Sequence, residues 1–346
     1  MKKLNIAIVG LGNIGSYLYK YLNDNKKILT EKNNCLPFIK YVSAKNKKRK
    51  RNIKIKKKQW LNNYLDATKN KDVDLIVELI GGSEGPAKKL VFNALKNKKH
   101  VVTANKALIA KYGDQLAKIA EKNKVNLEFE AAVCGGVPII RSLKESLIAN
   151  KISKIYGILN GTSNYILSSM YKDNKNFQEV LSIAKKLGYA EANPSTDLNG
   201  DDVAAKLKIL SSLCFNSFLS DNIYVEGIKE IDTVDINNAN KLGYKIKLLG
   251  FAEYINNNIY QRVHPTLIKK DSYVASIDGV LNAVIIDGKP VGQSIIQGEG
   301  AGPAATTSAL ISDISSILRG NIKFPFSVSG KERKKLKFNN LEERFF

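Results

Sequence analysis

Histidine is nearly missing from this 346-residue sequence, which has only His100 and His264 beside 55 lysines and arginines. A zinc or iron centre built on imidazole is therefore not expected, whereas hard cations bound by oxygen stay open. Cysteine is scarce as well. Cys35, Cys134 and Cys214 are odd in number, widely spaced and form no Cys-x-x-Cys pair, which suits a reducing compartment and makes the cytoplasm the expected location. Long apolar runs are also lacking. Uncharged stretches such as residues 209–220 and 301–312 fall well short of the ~18 residues a membrane helix needs, so no spanning segment and no membrane partner are expected. Met1-Lys2-Lys3 and the apolar residues after it have the outline of a signal peptide. The run stops after Val9 in a glycine turn with no cleavage pattern, and a first strand is the better reading.

Acidic residues are outnumbered 32 to 55, for a net charge of +23. Such an excess invites a nucleic-acid reading, but its distribution argues against one. Residues 45–58 hold ten basic side chains and no acid, in one connection without interleaved aromatics or a recognition motif; elsewhere the lysines read as solvated surface. Nucleic acid is not expected as a partner. What is present is a globular composition, 44% hydrophobic and 8% aromatic, in a chain long enough for two domains.

Residues 4–9 read as a buried strand, Gly10-Leu11-Gly12-Asn13-Ile14-Gly15 follows at once, and residues 16–22 have helical apolar spacing. Gly10 permits the tight turn, Gly12 lets backbone approach a pyrophosphate, and Gly15 lets the helix pack on the sheet, with the phosphates at the helix N-terminus. Further strands are expected at residues 38–43, 75–79, 100–103 and 126–130, with helices at 86–96 and 107–122 between them. The fold class is thus α/β, a Rossmann-type doubly wound parallel sheet that binds a dinucleotide. Where an acid for the ribose hydroxyls of NAD is usual at the end of the second strand, the chain has Ser43-Ala44-Lys45. Lys45, with Lys47 or Arg49 nearby, can pair with a 2′-phosphate, which favours NADP(H) over NAD(H). Lys106 opens a helix, where the macrodipole disfavours a cation, and this points to a role beyond stability.

A second constellation lies at residues 188–206. Glu191, Asp197, Asp201, Asp202 and Lys206 crowd around the start of a helix expected near Asp201, preceded by a cap-forming loop at 194–199. Val203, Leu207, Leu210 and Cys214 form its apolar stripe, Lys208 lies roughly opposite, and Lys206 borders the stripe one turn after Asp202. A lysine beside buried surface and carboxylates can serve as a general acid or base.

These residues resemble the homoserine dehydrogenase family over nearly the whole chain, residues 4 to about 325. The blocks that carry the likeness are the glycine turn, Glu78-Leu79-Ile80-Gly81-Gly82, Val102-Thr103-Ala104-Asn105-Lys106, residues 129–138, Leu159-Asn160-Gly161-Thr162-Ser163-Asn164-Tyr165, residues 187–206, Arg262-Val263-His264-Pro265 and Gly298-Glu299-Gly300-Ala301-Gly302. The resemblance implies NAD(P)-dependent interconversion of L-aspartate 4-semialdehyde and L-homoserine, a step of threonine, methionine and isoleucine biosynthesis. It implies Lys206 as proton donor to the aldehyde oxygen, Asp202 orienting it and touching substrate, Glu191 on the substrate ammonium, and Tyr189, Thr162 and Asp197 lining the pocket. Cofactor contacts are implied at Gly10, Gly12, Asn13, Ile14, Gly15, Thr103, Lys106, Gly188 and Gly302, with Lys106 also reaching substrate. Glu130, Val133, Gly135 and Val137 are implied ligands of a structural monovalent cation, sodium, and backbone oxygens suit such a hard ion. The likeness further implies a homodimer through strands of the second domain, and residues 282–286 read as such a strand.

A cysteine nucleophile at Cys134 would mean acyl transfer instead, but no histidine motif partners it, and Cys134 reads as filler. His264 reads as a satisfied strand residue. The expected organisation is a dinucleotide-binding domain at residues 1–136, completed by a helix at 303–320, and an α+β substrate and dimerisation domain at 137–302. A charged tail follows at 331–346, where many family members carry an amino-acid-binding regulatory domain of the ACT type. Truncation ahead of such a domain is one reading of the terminal Phe345-Phe346, and without it feedback by threonine is not expected.

Overall fold

The computed structural model describes residues 2–339, in two compact units. The first runs to Arg141 and includes Gly302–Arg333; the second holds Ser142–Ala301 and resumes at Lys334.

The first unit is built on five parallel strands, β1 (Lys3–Val9), β2 (Leu36–Ser43), β3 (Leu75–Glu78), β4 (His100–Thr103) and β5 (Leu127–Glu128), in the order β2-β1-β3-β4-β5. Ile6, Ala7, Ile8, Leu75, Ile76 and Val77 are all fully buried, as expected of central parallel strands covered on both faces. The helices are α1 (Asn13–Asp24), α2 (Lys26–Asn33), α3 (Asp66–Lys69), α4 (Pro86–Lys96), α5 (Lys106–Asn123) and the single turn α6 (Ile139–Arg141). The strand expected at 126–130 is shorter, because the chain leaves the sheet after Glu128 and winds into a 3₁₀ turn at Glu130–Ala132. Strand order reverses between β1 and β3, and in such sheets the crevice beyond the strand ends at this point is where ligands bind.

The second unit carries a mixed sheet of β6 (Lys151–Ile158), β7 (Tyr224–Val225), β8 (Tyr244–Ile255), β9 (Asn258–Lys269), β10 (Leu281–Lys289), β11 (Gly292–Glu299) and β12 (Lys337–Asn339). The order is β11-β10-β6-β8-β9-β12, with β7 also on β9. The helices are α7 (Gly161–Asp173), α8 (Phe177–Lys186), α9 (Ser195–Leu198), α10 (Asp201–Phe215) and α11 (Thr233–Lys241), of which α7 and α10 pack on β8. A last helix, α12 (Pro303–Leu318), returns to the first unit. There its Leu310, Ile314 and Ile317 join Ile8, Leu18 and Val77 in one apolar cluster.

Around α10 the expectations need correction. The segment 194–199 is not an open capping loop, since Ser195–Leu198 makes a helical turn, and Gly200 caps α10 at φ +87° with no side-chain bond. Lys208 is not on an outer face. It is buried, with its Nζ 2.5 Å from Asp221 Oδ1, while Cys214 is only half-buried. The helix touches β6, β8, β9 and α9, so several of its sides are covered and a single apolar stripe does not mark its interior.

Within the span read as a tail, the Arg333 guanidinium is buried, 2.6 Å from Asp114 Oδ1 and 4.3 Å from the Phe326 ring centroid. Lys337–Asn339 pair in parallel with β9, and residues 340–346 lie outside the described residues.

Candidate active site

In the first unit the sheet's reversal point is shaped by glycine. Gly10 holds φ +107°, and a Cβ there would sit 2.3 Å from the Leu79 carbonyl oxygen at the end of β3. A Cβ on Gly15 would sit 2.0 Å from the Gly10 carbonyl oxygen, so α1 lies against its own entry turn. At Gly12, by contrast, an added Cβ meets nothing within 4 Å. Gly12 and Asn13 are exposed at the helix start, with Ile14 half-buried behind them. Close-packed glycines on either side of an open one, at the positive end of a helix, fit a pyrophosphate.

Beside this turn the chain builds a polar network around a buried acid. Glu78 accepts the amides of Ile80 (2.7 Å) and Gly81 (3.0 Å) on one oxygen and the Thr103 hydroxyl (2.6 Å) on the other. Thr103 Oγ1 accepts the Asn105 amide at 3.0 Å, and Asn105 then caps α5 by accepting Leu108 N–H (3.1 Å) while donating to Gly82 O (2.8 Å). Thr103 and Asn105 are thereby fixed to the loop after β3, and Lys106 follows Asn105 as the first residue of α5. Lys45 is exposed just past the end of β2. Arg51 donates from Nε to Leu11 O at 2.9 Å, which ties the basic connection to the glycine turn.

In the second unit, Lys206 and Asp202 are both buried, and Lys206 Nζ lies 2.8 Å from Asp202 Oδ2 and 2.6 Å from Leu159 O. Asn160 Nδ2 donates to Asp202 Oδ2 and to Asp197 Oδ1, each at 2.8 Å, and its Oδ1 caps α7 by accepting Ser163 N–H. One amide therefore fixes two carboxylates on two helices to the start of a third. Asn282, fully buried on β10, donates to the same Leu159 carbonyl at 3.0 Å. A Cβ on Gly300 would fall 2.2 Å from Asn282 Cγ, which accounts for glycine at that point of the Gly298–Gly302 segment. Thr162 Oγ1 donates to Tyr189 O at 2.7 Å, and the Tyr189 ring packs edge-on to Tyr165 with centroids 4.9 Å apart.

The second unit thus brings together Thr162, Tyr189, Asp197, Asp202 and Lys206. Glu191 stands exposed after the Gly188 turn, which has φ +77° and open space about its Cβ position. Gly302, at φ +107°, opens α12 in the first unit. Cys134 is buried at φ +55°, and the His264 ring is engaged by the Pro265 carbonyl at 2.8 Å. Asn160, Asn282 and the Glu78–Asn105 pair were not singled out from sequence. The signal for Asn160 was faint, since an asparagine before a helix is ordinarily only a cap.

The cation loop folds around Glu130. Its carboxylate accepts the amides of Ile140 (2.8 Å) and Arg141 (2.6 Å), and its own amide donates to Asp313 Oδ2 at 2.9 Å. The Cys134 and Val137 carbonyls accept Val137 N–H (2.9 Å) and Ile139 N–H (2.8 Å). The donors this segment offers, a buried carboxylate and backbone carbonyls, are all oxygen, the kind a hard monovalent ion takes.

A family model described as homoserine dehydrogenase matches residues 138–315, and one described as homoserine dehydrogenase, NAD binding domain, matches residues 10–130. The chain is 42% identical over 320 residues to the homoserine dehydrogenase of Neisseria gonorrhoeae, covering 92% of this chain and 73% of that protein.

This chain belongs to the homoserine dehydrogenase family.

Another homoserine dehydrogenase, from Bacillus subtilis, is 38% identical over 92% of this chain and 74% of its own length. The crystal structure of a homoserine dehydrogenase from Thiobacillus denitrificans superposes with a TM-score of 0.92 at 37% identity, over 98% of this chain and 80% of that one. The chain is accordingly an oxidoreductase with an NAD-binding Rossmann unit, and the mixed sheet is the homoserine dehydrogenase catalytic region. No described helix is long and apolar enough to cross a membrane.

Proposed function

We propose that the chain interconverts L-aspartate 4-semialdehyde and L-homoserine with NADP(H) in preference to NAD(H), as a cytoplasmic homodimer serving threonine, methionine and isoleucine synthesis. The observation that carries the chemistry is the buried Lys206–Asp202 pair, with Lys206 Nζ held at 2.8 Å by the carboxylate and 2.6 Å by a backbone carbonyl. When bound, the nicotinamide supplies or accepts the hydride.

As an aldehyde is reduced, negative charge builds on its oxygen, and a positioned acid that quenches it contributes ~10²–10⁴ in rate. Lys206 is that acid: its Nζ gives up a proton to the oxygen in reduction and takes one from the alcohol in reverse. Asp202 keeps the ammonium in place, and Asn160 keeps Asp202 in place. Glu191 pairs with the substrate ammonium, while Asp197, Thr162 and Tyr189 line the pocket. Lys106 reaches both cofactor and substrate.

Gly10, Gly12, Asn13, Ile14 and Gly15 hold the pyrophosphate, and Thr103, Gly188 and Gly302 make further cofactor contacts. Lys45 pairs with the 2′-phosphate; the exposed lysine and the lack of an acid at the end of β2 support this preference. Glu130, Val133, Gly135 and Val137 hold sodium as a structural ion.

The test is a steady-state assay of purified protein with aspartate semialdehyde and either cofactor. NADPH should be oxidised with the higher kcat/KM, and Lys45→Glu should reverse the preference. No oxidation of either cofactor refutes the reading, and an unchanged preference in the variant refutes the role of Lys45.

A further inference from the structure

A cavity of about 820 Å³ opens beside the outer edge of β2, wholly within the first unit and lined by segments 19–26, 37–41 and 52–59 together with Lys3. It lies at the amino-terminal half of β2 and the carboxy-terminal half of α1, the opposite end of both elements from the glycine turn. Lysines enter it from every wall. Lys3 and Lys40 come from the strands, Lys20 and Lys26 from α1 and α2, and Lys54, Lys56 and Lys58 from the connection that follows β2. Asp24 is the one carboxylate in the lining. Lys40 is paired with Asp72 at 3.5 Å, and no other ion pair joins these lysines among the described residues.

The connection is built to present its charges. Along residues 51–56 exposure alternates: Ile53 and Ile55 pack on the core cluster of β1, β2 and α1, while Lys54 and Lys56 face water. Tyr19, buried on α1, donates its hydroxyl to Lys54 O and Gln59 Oε1, both at 3.1 Å, and Gln59 Nε2 donates to Ile39 O at 2.9 Å. The strap is thus pinned by side-chain bonds along its length. A solvated lysine run needs no such anchoring, whereas holding six more cations than anions around one concavity raises a positive potential that an anion relieves.

We propose that this cavity is a binding site for a linear inorganic polyphosphate chain, distinct from the dinucleotide turn. A phosphate-only ligand is favoured over a single-stranded nucleic acid because the aromatic faces are already in use. Lys3 Nζ sits 3.7 Å above the Phe38 centroid, Lys26 Nζ approaches the same ring at 5.8 Å, Lys40 Nζ lies 5.9 Å from the Tyr41 centroid, and Tyr19 is bound to the strap. Base stacking needs open rings; a chain of phosphates needs only the ammonium groups.

Calorimetric titration of the whole protein with a short linear polyphosphate, in saturating NADPH to fill the dinucleotide site, tests the proposal. Wild type should bind with an affinity that falls as salt rises. The triple variant Lys20→Gln, Lys54→Gln, Lys58→Gln should bind at least about tenfold more weakly, with a salt slope reduced by about 2. The equal-charge control Lys89→Gln, Lys96→Gln, Lys122→Gln, on α4 and α5 of the same unit, should bind within about twofold of wild type. An unchanged KM for NADPH in the groove variant shows that the unit is intact. No binding by wild type, equal losses in both triples, or displacement of polyphosphate by an oligouridylate at equal phosphate concentration would each overturn the proposal.

Discussion

Lys206 and Lys247 are both buried lysines of the second unit set among asparagine and carboxylate partners, and they are built for different ends. Lys247, on β8, donates to Asn164 Oδ1 (3.0 Å) and Ser168 Oγ (3.1 Å) on α7, to Ile277 O (2.7 Å), and to Asp278 Oδ1 (2.7 Å). It cross-links a strand, a helix and a turn that are distant in sequence. Burial holds its proton affinity below the ordinary lysine value, against the opposing pull of Asp278. Lys206 instead takes its carboxylate from one turn earlier on its own helix. Its bond to Leu159 O, 47 residues away, is shared with Asn282, so Lys206 ties less of the fold together than Lys247 does, yet desolvating two charges is costly. Burial spent on the lesser cross-link fits the proposed proton transfer, whereas burial spent on the greater one marks architecture.

The comparison breaks first on stability. Lys247→Met would take a donor from the buried Asn164 Oδ1, leaving it Ser168 Oγ at 3.5 Å, and from Ile277 O, which keeps Asn164 Nδ2 at 3.1 Å; at roughly 1–3 kcal/mol in all, the thermal midpoint should fall by several degrees while activity per folded molecule stays near wild type. Lys206→Ala should shift the midpoint far less. Asp202 keeps its bond from Asn160 at 2.8 Å and its place in the first turn of α10, where the helix dipole favours an anion. Equal thermal losses in the two variants would erase the distinction.

Asn160→Ala sharpens the comparison on the catalytic side. It frees Asp202 and Asp197 from their shared clamp, and a loosened catalytic group typically costs ~10–100-fold in rate. The loss should appear in kcat with KM for NADPH unchanged; an unaltered kcat would remove the clamp from the mechanism.

The smallest effect concerns His100, an architectural group of the first unit. Its Nδ1 accepts Asn126 N–H at 3.0 Å, and burial lowers its pKa from the ordinary 6.5 despite Asp74 and Glu128 nearby. Between the lowered folded value and 6.5 the unfolded chain binds more protons. Stability should therefore decline as pH falls below 6.5 and level off once the folded ring also titrates. Denaturant midpoints between pH 7 and pH 5 for wild type and His100→Asn measure this slope, which should flatten in the variant.

Much of this was legible in the residues. The glycine turn, the strand succession and the Asp202–Lys206 spacing each depend on local sequence, and local sequence reports them well. Lys208 and Lys247 were misplaced or passed over because periodicity assumes one covered face. In the run Lys245-Ile246-Lys247-Leu248 alternation turns Lys247 outward, yet α7 lies over that side and supplies Asn164 and Ser168. Asn160 and Asn282 were hidden for a related reason. Their partners are 37 to 123 residues away, and no spacing rule reaches that far. Gly300 is intelligible only beside Asn282, the side chain whose space it leaves open.

The central claim is that Lys206 delivers the proton and contributes little else. Measuring kcat with aspartate semialdehyde and Kd for NADPH on one preparation of Lys206→Ala tests it most directly. The expected result is a kcat lower by ~10²–10⁴ with Kd essentially unchanged; a kcat close to wild type, or a loss that tracks weaker NADPH binding, would contradict it.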